Sequence, residues 1–246
     1  LQGREQKVML LEVANEYWQN GFPDPGGVTK VREFGKYLAN RTNVLVALSS
    51  TNGTNATLQQ MYQGSAADVA TEHFSRDIGT VEGGWLPVRD PWRVNSVQGI
   101  PPVISNEPIG PGSSVSSEND PIKLVSAAAF AWMAGLPAYV FHSNAGVLGN
   151  SRFQDMAGVA SFRHVQSILP DDIANWQRSD GKDARSPFIT FANGQANKWW
   201  TEVSSPTSGA IRNIANVKDN EFYALPIGIH AGGVELQARR NMTVQV

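Results

Sequence analysis

The fold is decided by the stretch VMLLEVANEYW, residues 8–18, in which a mostly apolar run leads directly into Asn15 and Glu16. Near-continuous runs of leucine and valine are typical of parallel strands that are buried on both faces of a sheet. The asparagine and the glutamate follow at the point where such a strand ends. The stretch therefore predicts a buried strand over Val8–Val13 with polar side chains at its carboxyl end.

Four further apolar runs follow this strand, and helical patterns separate them. Short apolar runs that alternate with helices indicate a parallel sheet with crossover helices. The predicted strands cover residues 44–48, 67–71, 101–105 and 138–141, and the predicted helices cover 28–40, 57–62, 121–135 and 153–169. On the first helix we expect Val31, Phe34, Tyr37 and Leu38 to form the buried face. On the third, Asp120 should cap the amino terminus and Gly135 should end the helix.

These five β-α units predict an α/β protein with part of a (β/α)8 barrel, also called a TIM barrel. A complete barrel has eight units, and five strands would leave an open parallel edge. We therefore expect this chain to supply units 4–8, with units 1–3 supplied by a further segment or by another chain. This partial barrel is expected to cover residues 1–175.

The last part of the chain has a different pattern. Short apolar runs separated by glycine, asparagine, aspartate and serine predict strands over residues 188–191, 199–203, 221–229 and 234–246. We therefore expect a small all-β domain over residues 176–246, with its boundary between residues 170 and 185.

Composition excludes several classes of function. The formal net charge is −2 and the sequence has no basic stripe, so nucleic acid is not an expected partner. No apolar run approaches the roughly 20 residues that cross a bilayer, so no membrane contact is expected. The absence of cysteine excludes disulfides and zinc–thiolate sites, although it does not fix the compartment.

The sequence predicts neither a bound metal nor a cofactor. It has no Gly-x-Ser-x-Gly elbow, phosphate loop or dinucleotide fingerprint, so no cofactor is expected. The four histidines are scattered, and the group Glu72, His73 and Asp77 gives only a weak indication of metal binding.

Catalytic groups of parallel barrels lie at the carboxyl ends of the strands. Two Asn-Glu pairs occupy such positions, Asn15-Glu16 after the first predicted strand and Asn106-Glu107 after the fourth. Glycoside cleavage needs one carboxyl group to protonate the leaving oxygen and another to attack or stabilise the anomeric carbon. The asparagine beside each glutamate can donate a hydrogen bond to a sugar hydroxyl or to the neighbouring carboxylate.

On these residues the chain resembles the clan-A glycoside hydrolases, the cellulase and β-galactosidase superfamily. Members carry an Asn-Glu acid/base at the end of barrel strand 4 and a glutamate nucleophile at the end of strand 7. The resemblance covers roughly residues 5–170 and implies that Glu16 is the acid/base and Glu107 the nucleophile. It also implies that Asn15 holds the substrate's 2-hydroxyl.

The resemblance extends less well to the neighbouring sugar contacts. His73 stands where members bring an aromatic residue or histidine near the nucleophile, and His142 stands where many carry tryptophan at the end of strand 8. Trp18 follows the acid/base and is the best candidate for stacking on a sugar ring. Trp85, Trp92 and Trp132 are expected to serve packing.

Each candidate also has a purely structural interpretation. Glu16 could cap the loop that follows it, and Glu107 could mark a strand end before Pro108. The two histidines could be structural residues of the barrel mouth. The acidic residues after the third strand could belong to a surface network of ion pairs, formed by Glu72, Asp77, Arg76 and Arg89.

The sequence thus predicts a retaining O-glycoside hydrolase that acts on a β-linked oligo- or polysaccharide without a cofactor. In that case the carboxyl groups of Glu16 and Glu107 should lie ~5–5.5 Å apart. Two alternatives stay open: a catalytically inactive carbohydrate-binding or structural protein with the same barrel, and a transglycosylase that uses the same residues with a sugar as acceptor.

Overall fold

A computed structural model describes most of the first half of the chain and shorter segments of the second. The described residues are 3–51, 54–74, 90–91, 94, 97–107, 120–133, 135–140, 152–155, 158–172, 175–179, 189–191, 211–218, 221–228, 236–238, 241 and 243. Among them, no helix combines the length and the apolar character that crossing a bilayer requires.

Two pairs of parallel strands form the first part of the molecule. Strand β1 (Leu10–Glu12) pairs with β2 (Leu45–Ala47), so that Glu12 lies opposite Ala47. Strand β3 (Ala70–Glu72) pairs with β4 (Val103–Ser105), so that Glu72 lies opposite Ser105. The carboxyl ends of the strands in each pair are therefore level with each other.

Further backbone contacts extend this arrangement. The amides of Asp68 and Val69 both donate to the carbonyl of Val46, at 2.9 and 3.3 Å, which brings the start of β3 beside β2. Beyond β4, a parallel bridge joins Ser105 to Tyr139. The strands thus follow one another in chain order and all run in the same direction. Closure of these strands into a barrel stays a prediction.

Helices α1 (Gly27–Ala39) and α2 (Asn55–Tyr62) follow β1 and β2. They pack on one face of the strands around an apolar core that includes Val31, Leu48, Leu58, Met61, Ala70 and Val103. The hydroxyl of Thr54 caps α2, because it accepts a hydrogen bond from the amide of Thr57 at 3.2 Å.

The predicted buried face of α1 is wrong at two positions, since Phe34 is 54% exposed and Tyr37 is 53% exposed. The buried stripe contains Gly27, Val31 and Gly35, which repeat every four residues. At Gly35 the helix comes so close to β2 that a Cβ atom would lie 2.1 Å from Leu48 Cδ2. The small residues thus set which face of α1 meets the strands.

Helix α3 (Pro121–Met133) shows the predicted signals at both ends. At its start, Asp120 Oδ1 accepts a hydrogen bond from the amide of Ile122 at 2.9 Å. At its end, Gly135 adopts a φ of 83°, and the amide of Leu136 donates to the carbonyl of Ala131 at 3.0 Å. This left-handed glycine termination satisfies carbonyls of the last helical turn.

Trp132 was expected to serve packing, but it is 42% exposed. It lies between Ala131 and Met133, both of which are buried. Tryptophan therefore occupies the outer side of a helix whose inner side is filled largely by alanine.

The prediction of a continuous helix over residues 153–169 is also wrong. The segment forms two 3-10 turns, Phe153–Asp155 and Val159–Phe162, and then helix α4 (Arg163–Ile168). The interruption lies at Gly158, whose φ of 80° is incompatible with a right-handed helix. A Cβ atom there would lie 2.5 Å from Leu124 Cδ1, so the chain needs glycine at this close approach to α3.

The remaining described strands pair in antiparallel fashion. These strands are β5 (Gln177–Ser179), β6 (Ile189–Phe191), β7 (Ile211–Lys218), β8 (Glu221–Gly228) and β9 (Leu236–Ala238). Strand β7 lies between β5 and β8, and β6 pairs with β9. Strands β5 and β7 were not predicted, and the strand predicted over residues 199–203 lies outside the described residues. The domain boundary stays a prediction.

Candidate functional site

Glu16 lies in the turn that follows β1, and its backbone is strained. Its φ of 45° is the one positive value at a non-glycine residue in the described part of the chain. A left-handed conformation costs a residue with a side chain roughly 1–2 kcal/mol, and such residues cluster at functional sites. The turn is held by Gln19, whose amide donates to the carbonyl of Glu16 at 2.8 Å. The local structure thus fixes the direction of the Glu16 side chain.

Glu107 lies two residues beyond the end of β4. Its Oε1 atom accepts a hydrogen bond from Asn15 Nδ2 at 3.2 Å. Asn15 follows β1, and it is separated from Glu107 by 92 positions in the sequence. The two Asn-Glu segments therefore meet at the carboxyl ends of their strands.

His73 connects the two glutamates. Its Nδ1 atom lies 3.2 Å from Glu16 Oε1, and its Nε2 atom lies 3.6 Å from Glu107 Oε1. The His73 side chain is only 9% exposed, whereas the side chains of Glu16 and Glu107 are 28% and 22% exposed. One imidazole ring therefore lies close to two carboxylates from distant parts of the chain, and both carboxylates keep access to solvent. That the two carboxylates face one pocket at the retaining separation stays a prediction.

Glu16 has a second neighbour on its own turn. Gln19 Nε2 donates a hydrogen bond to Glu16 Oε2 at 2.7 Å, while Oε1 faces His73. Both carboxylate oxygens of Glu16 are thus oriented by side chains. An imidazolium can donate from both ring nitrogens and a neutral ring from only one, so protonation of His73 changes its contacts with the pair.

A polar network connects the carboxyl ends of the parallel strands and includes Asn106, the residue before Glu107. Glu12 Oε2 accepts a hydrogen bond from Asn106 Nδ2 at 2.9 Å, and Glu12 Oε1 accepts from the hydroxyls of Thr71 and Ser50. Ser50 Oγ also lies 2.9 Å from Asn106 Oδ1. Burial raises the pKa of Glu12 above its usual range, although these hydrogen bonds oppose the increase. The network joins the ends of all four parallel strands.

Tyr62 fixes the end of β2 against β3. Its hydroxyl oxygen accepts hydrogen bonds from the amides of Leu48, Ser49 and Thr71, at 3.3, 3.1 and 3.0 Å. The side chain is fully buried, and this burial raises the pKa of its hydroxyl well above the usual range. The phenol therefore serves as a neutral hydrogen-bonding group between the end of β2 and β3.

The other predicted site residues have different surroundings. Both polar ends of the Asn106 amide are engaged with Glu12 and Ser50, so contact with a sugar stays a prediction. Trp18 is half-buried, meets the ring of Tyr17 edge to face, and lines a cavity beside α2. His142 lies outside the described residues, as do Trp85 and Trp92.

The proposed surface network around Glu72 is wrong for Glu72 itself, because this side chain is fully buried. The hydroxyl of Thr51 donates a hydrogen bond to Glu72 Oε2. Arg76, Asp77 and Arg89 lie outside the described residues. Within the described part of the chain, no group of three histidine, aspartate or glutamate residues could hold a metal ion.

Sequence reasoning missed Glu12 and Gln19 as members of the site. Glu12 is the one charged residue within the apolar run Val8–Val13, and a charge at that position was the signal that could have identified it. Gln19 lies three residues after Glu16 in a turn, where sequence gives no sign of the side chain's direction.

We compared the chain with protein-family models, curated proteins and solved structures, and no match was found.

Proposed function

We propose that this protein is a retaining O-glycoside hydrolase that cleaves β-linked oligo- or polysaccharides. Glu16 is its acid/base and Glu107 is its nucleophile. The observation that carries the proposal is the contact of His73 with both carboxylates, at 3.2 and 3.6 Å. Two partly exposed carboxylates that face one space are what glycosidic bond cleavage requires.

In the first step, Glu107 attacks the anomeric carbon while Glu16 gives its proton to the leaving oxygen. The glycosidic bond breaks, and an ester bond forms between the sugar and Glu107. The hydrogen bond from Asn15 Nδ2 to Glu107 Oε1 orients the nucleophile for this attack.

In the second step, Glu16 acts as a base. It accepts a proton from a water molecule, whose oxygen attacks the anomeric carbon and releases the Glu107 carboxylate. Two inversions give net retention of configuration. His73 and Gln19 are positioning residues in this scheme, because they hold the carboxylate of Glu16 through both steps.

The proposal is tested by hydrolysis of a panel of aryl β-glycosides with the wild type, Glu16→Gln and Glu107→Gln. We expect Glu107→Gln to lower kcat/KM at least a thousandfold on every substrate that the wild type cleaves. We expect Glu16→Gln to lose less activity on dinitrophenyl glycosides than on unsubstituted phenyl glycosides, because a good leaving group needs no proton.

The matched control is Glu33→Gln, which makes the same substitution at an exposed position of α1 and leaves both glutamates of the site intact. It should keep measurable hydrolysis. A wild type that cleaves no member of the panel, or variants as active as the wild type, would contradict the proposal. A wild type that binds oligosaccharides without cleaving them would favour the non-catalytic alternative.

A further inference from the structure

The segment that contains β1 contacts two successive residues beyond β4. Asn106 Nδ2 donates a hydrogen bond to Oε2 of Glu12, the last residue of β1, at 2.9 Å. Further along the same segment, Asn15 Nδ2 donates to Glu107 Oε1 at 3.2 Å. These contacts join residues that are 94 and 92 positions apart in the sequence. One segment therefore binds both the side chain of Glu107 and the residue before it.

The side-chain amide of Asn106 is bound at both ends. Its nitrogen donates to Glu12, and its Oδ1 atom lies 2.9 Å from Oγ of Ser50, a fully buried residue beyond the end of β2. Its backbone is constrained as well, because Asn106 directly follows Ser105, which pairs with Glu72 in the β3–β4 ladder. Contacts with the segments of β1, β2 and β3 thus fix the place of Asn106.

Glu12 is in turn held on the side of its other oxygen. The hydroxyl of Thr71, a fully buried residue of β3, donates to Glu12 Oε1. Thr71 Oγ1 also lies 2.9 Å from the hydroxyl of Tyr62, which is itself fully buried. Buried polar groups keep such partners, because losing them costs the full desolvation of each group. The carboxyl group of Glu12 therefore forms a fixed link between β3 and Asn106.

A buried polar network can serve stability alone, but this one ends at Asn106, the residue before Glu107. Pro108 follows Glu107 in the sequence, and a residue before proline is restricted to extended backbone conformations. The backbone position of Glu107 therefore depends on that of Asn106. A displacement of about 1 Å in a reacting group can lower a rate about a hundredfold. The contact between Glu12 and Asn106 can thus affect chemistry that Glu12 itself does not touch.

We propose that Glu12 is a positioning residue, which through Asn106 sets the place of the Glu107 carboxylate for attack on the anomeric carbon. The inference rests on the proposed function, because it takes Glu107 as the nucleophile. Asn106 serves as the link between the two glutamates. Loss of this link slows the step in which Glu107 attacks, whereas substrate binding is largely unchanged.

The test measures how fast Glu107 forms an ester with a 2-deoxy-2-fluoro β-glycoside that bears a dinitrophenyl group. In this step the Glu107 oxygen forms a bond to the anomeric carbon, and dinitrophenolate leaves with the electron pair of the broken bond. The leaving group needs no proton, so the rate reports on the nucleophile. Partial unfolding lowers the amount of dinitrophenolate released but not the rate constant of the folded molecules, which separates positioning from stability.

We expect Glu12→Met to lower the limiting rate constant about tenfold or more, because methionine cannot accept the hydrogen bond of Asn106. The glycoside concentration that gives half of the limiting rate should change less than about threefold. Glu12→Gln should stay within about threefold of the wild type, since its amide oxygen can still accept from Asn106. The control is Gly35→Ala, which disturbs the packing of α1 on β2 and should leave the rate constant unchanged.

A double variant tests the route through Asn106. In an Asn106→Leu background the link is already broken, so Glu12→Met should lower the rate constant less than about twofold further. An equal cost of Glu12→Met in both backgrounds would show that Glu12 does not act through Asn106, and it would overturn the proposal. A Glu12→Gln variant as slow as Glu12→Met would also overturn it.

The remaining outcomes separate this proposal from the proposed function. A wild type that forms the ester, with a Glu12→Met variant that forms it equally fast, would overturn the positioning role alone. If circular dichroism shows that Glu12→Met does not fold, Ser50→Ala replaces it, because this variant removes the contact at the other end of the Asn106 amide. We expect Ser50→Ala to lower the rate constant about threefold or more, and an unchanged rate constant would overturn the role. A wild type that forms no ester would overturn both proposals.

Discussion

At the scale of single residues, Glu12 connects the strands to the candidate site. Its carboxylate binds Asn106, and Asn106 precedes Glu107 in the chain. A carboxyl group this buried is held more readily in its neutral form, which is the cause of its raised pKa. The free energy of unfolding therefore changes with pH over the range in which Glu12 ionises.

We expect the free energy of unfolding of Glu12→Gln, relative to that of the wild type, to increase as the pH rises. With a raised pKa, the folded protein keeps a proton on Glu12 that the unfolded chain has already released. The stability that this proton provides is complete below the unfolded-state pKa and is lost as the pH rises through the folded-state pKa. Glutamine never ionises and avoids this loss. Urea unfolding of both proteins between pH 4 and pH 8 measures the difference, and parallel profiles would contradict it.

The backbone of Glu16 allows a second prediction at this scale. We expect Glu16→Gly to be about 1 kcal/mol more stable than Glu16→Ala, because only alanine has a Cβ atom that opposes the positive φ. Both variants lose the same carboxylate, so the comparison isolates the backbone conformation. Thermal unfolding of the two variants measures it. If alanine is tolerated as well as glycine, Glu16 is not held in a left-handed conformation.

The sequence identified Glu16, Glu107 and His73 as candidates because each follows an apolar run. It could not indicate that one imidazole contacts both carboxylates, since that depends on side-chain directions at the ends of three strands. Glu12 was overlooked because the apolar residues around it indicated a strand buried on both faces. The structure instead shows a polar network on one face of the strands.

At the scale of elements, the parallel strands were predictable and several of the connections were not. Strands β1, β2 and β4 fall within predicted runs, and β3 ends one residue beyond its run, at Glu72, because parallel strands are near-continuous in apolar residues. The prediction that the first strand is buried is wrong, since β1 is only half-buried and Met9 is 58% exposed. The segment 153–169 differs, since its helical pattern contains Gly158, and a close approach to Leu124 depends on tertiary packing. Strand β7 was missed because its two asparagines, Asn213 and Asn216, favour turns.

The packing of α1 on β2 gives a prediction at this scale. We expect Gly35→Ala to lower the free energy of unfolding by about 1–3 kcal/mol, because the added Cβ atom overlaps the buried side chain of Leu48. Lys36→Ala, on the exposed side of the same helix, is the control and should change stability by less than about 0.5 kcal/mol. Urea unfolding measures both variants.

A double variant makes this prediction sharper. Leu48→Ala removes the atoms that the new Cβ atom would meet, so Gly35→Ala should cost less in that background than in the wild type. Equal costs in the two backgrounds would show that the close approach of α1 to β2 does not set its stability.

At the scale of the whole molecule, the parallel strands follow chain order, and the residues of the candidate site lie beyond their carboxyl ends. The segments after β1, β3 and β4 bring together Glu16, His73 and Glu107. Closure of these strands into the barrel that the sequence predicts stays a prediction. The antiparallel strands that follow contribute no described residue to the candidate site.

The account depends most on Glu107 as a nucleophile that faces Glu16 across one space. The most direct measurement is the intact mass of the protein after reaction with a panel of 2-deoxy-2-fluoro β-glycosides bearing a dinitrophenyl group, followed by peptide mapping. The account predicts a mass increase of one fluoroglycosyl unit, located on Glu107 and absent from Glu107→Gln. Hydrolysis without a trapped ester, or a label on a different carboxylate, would contradict it.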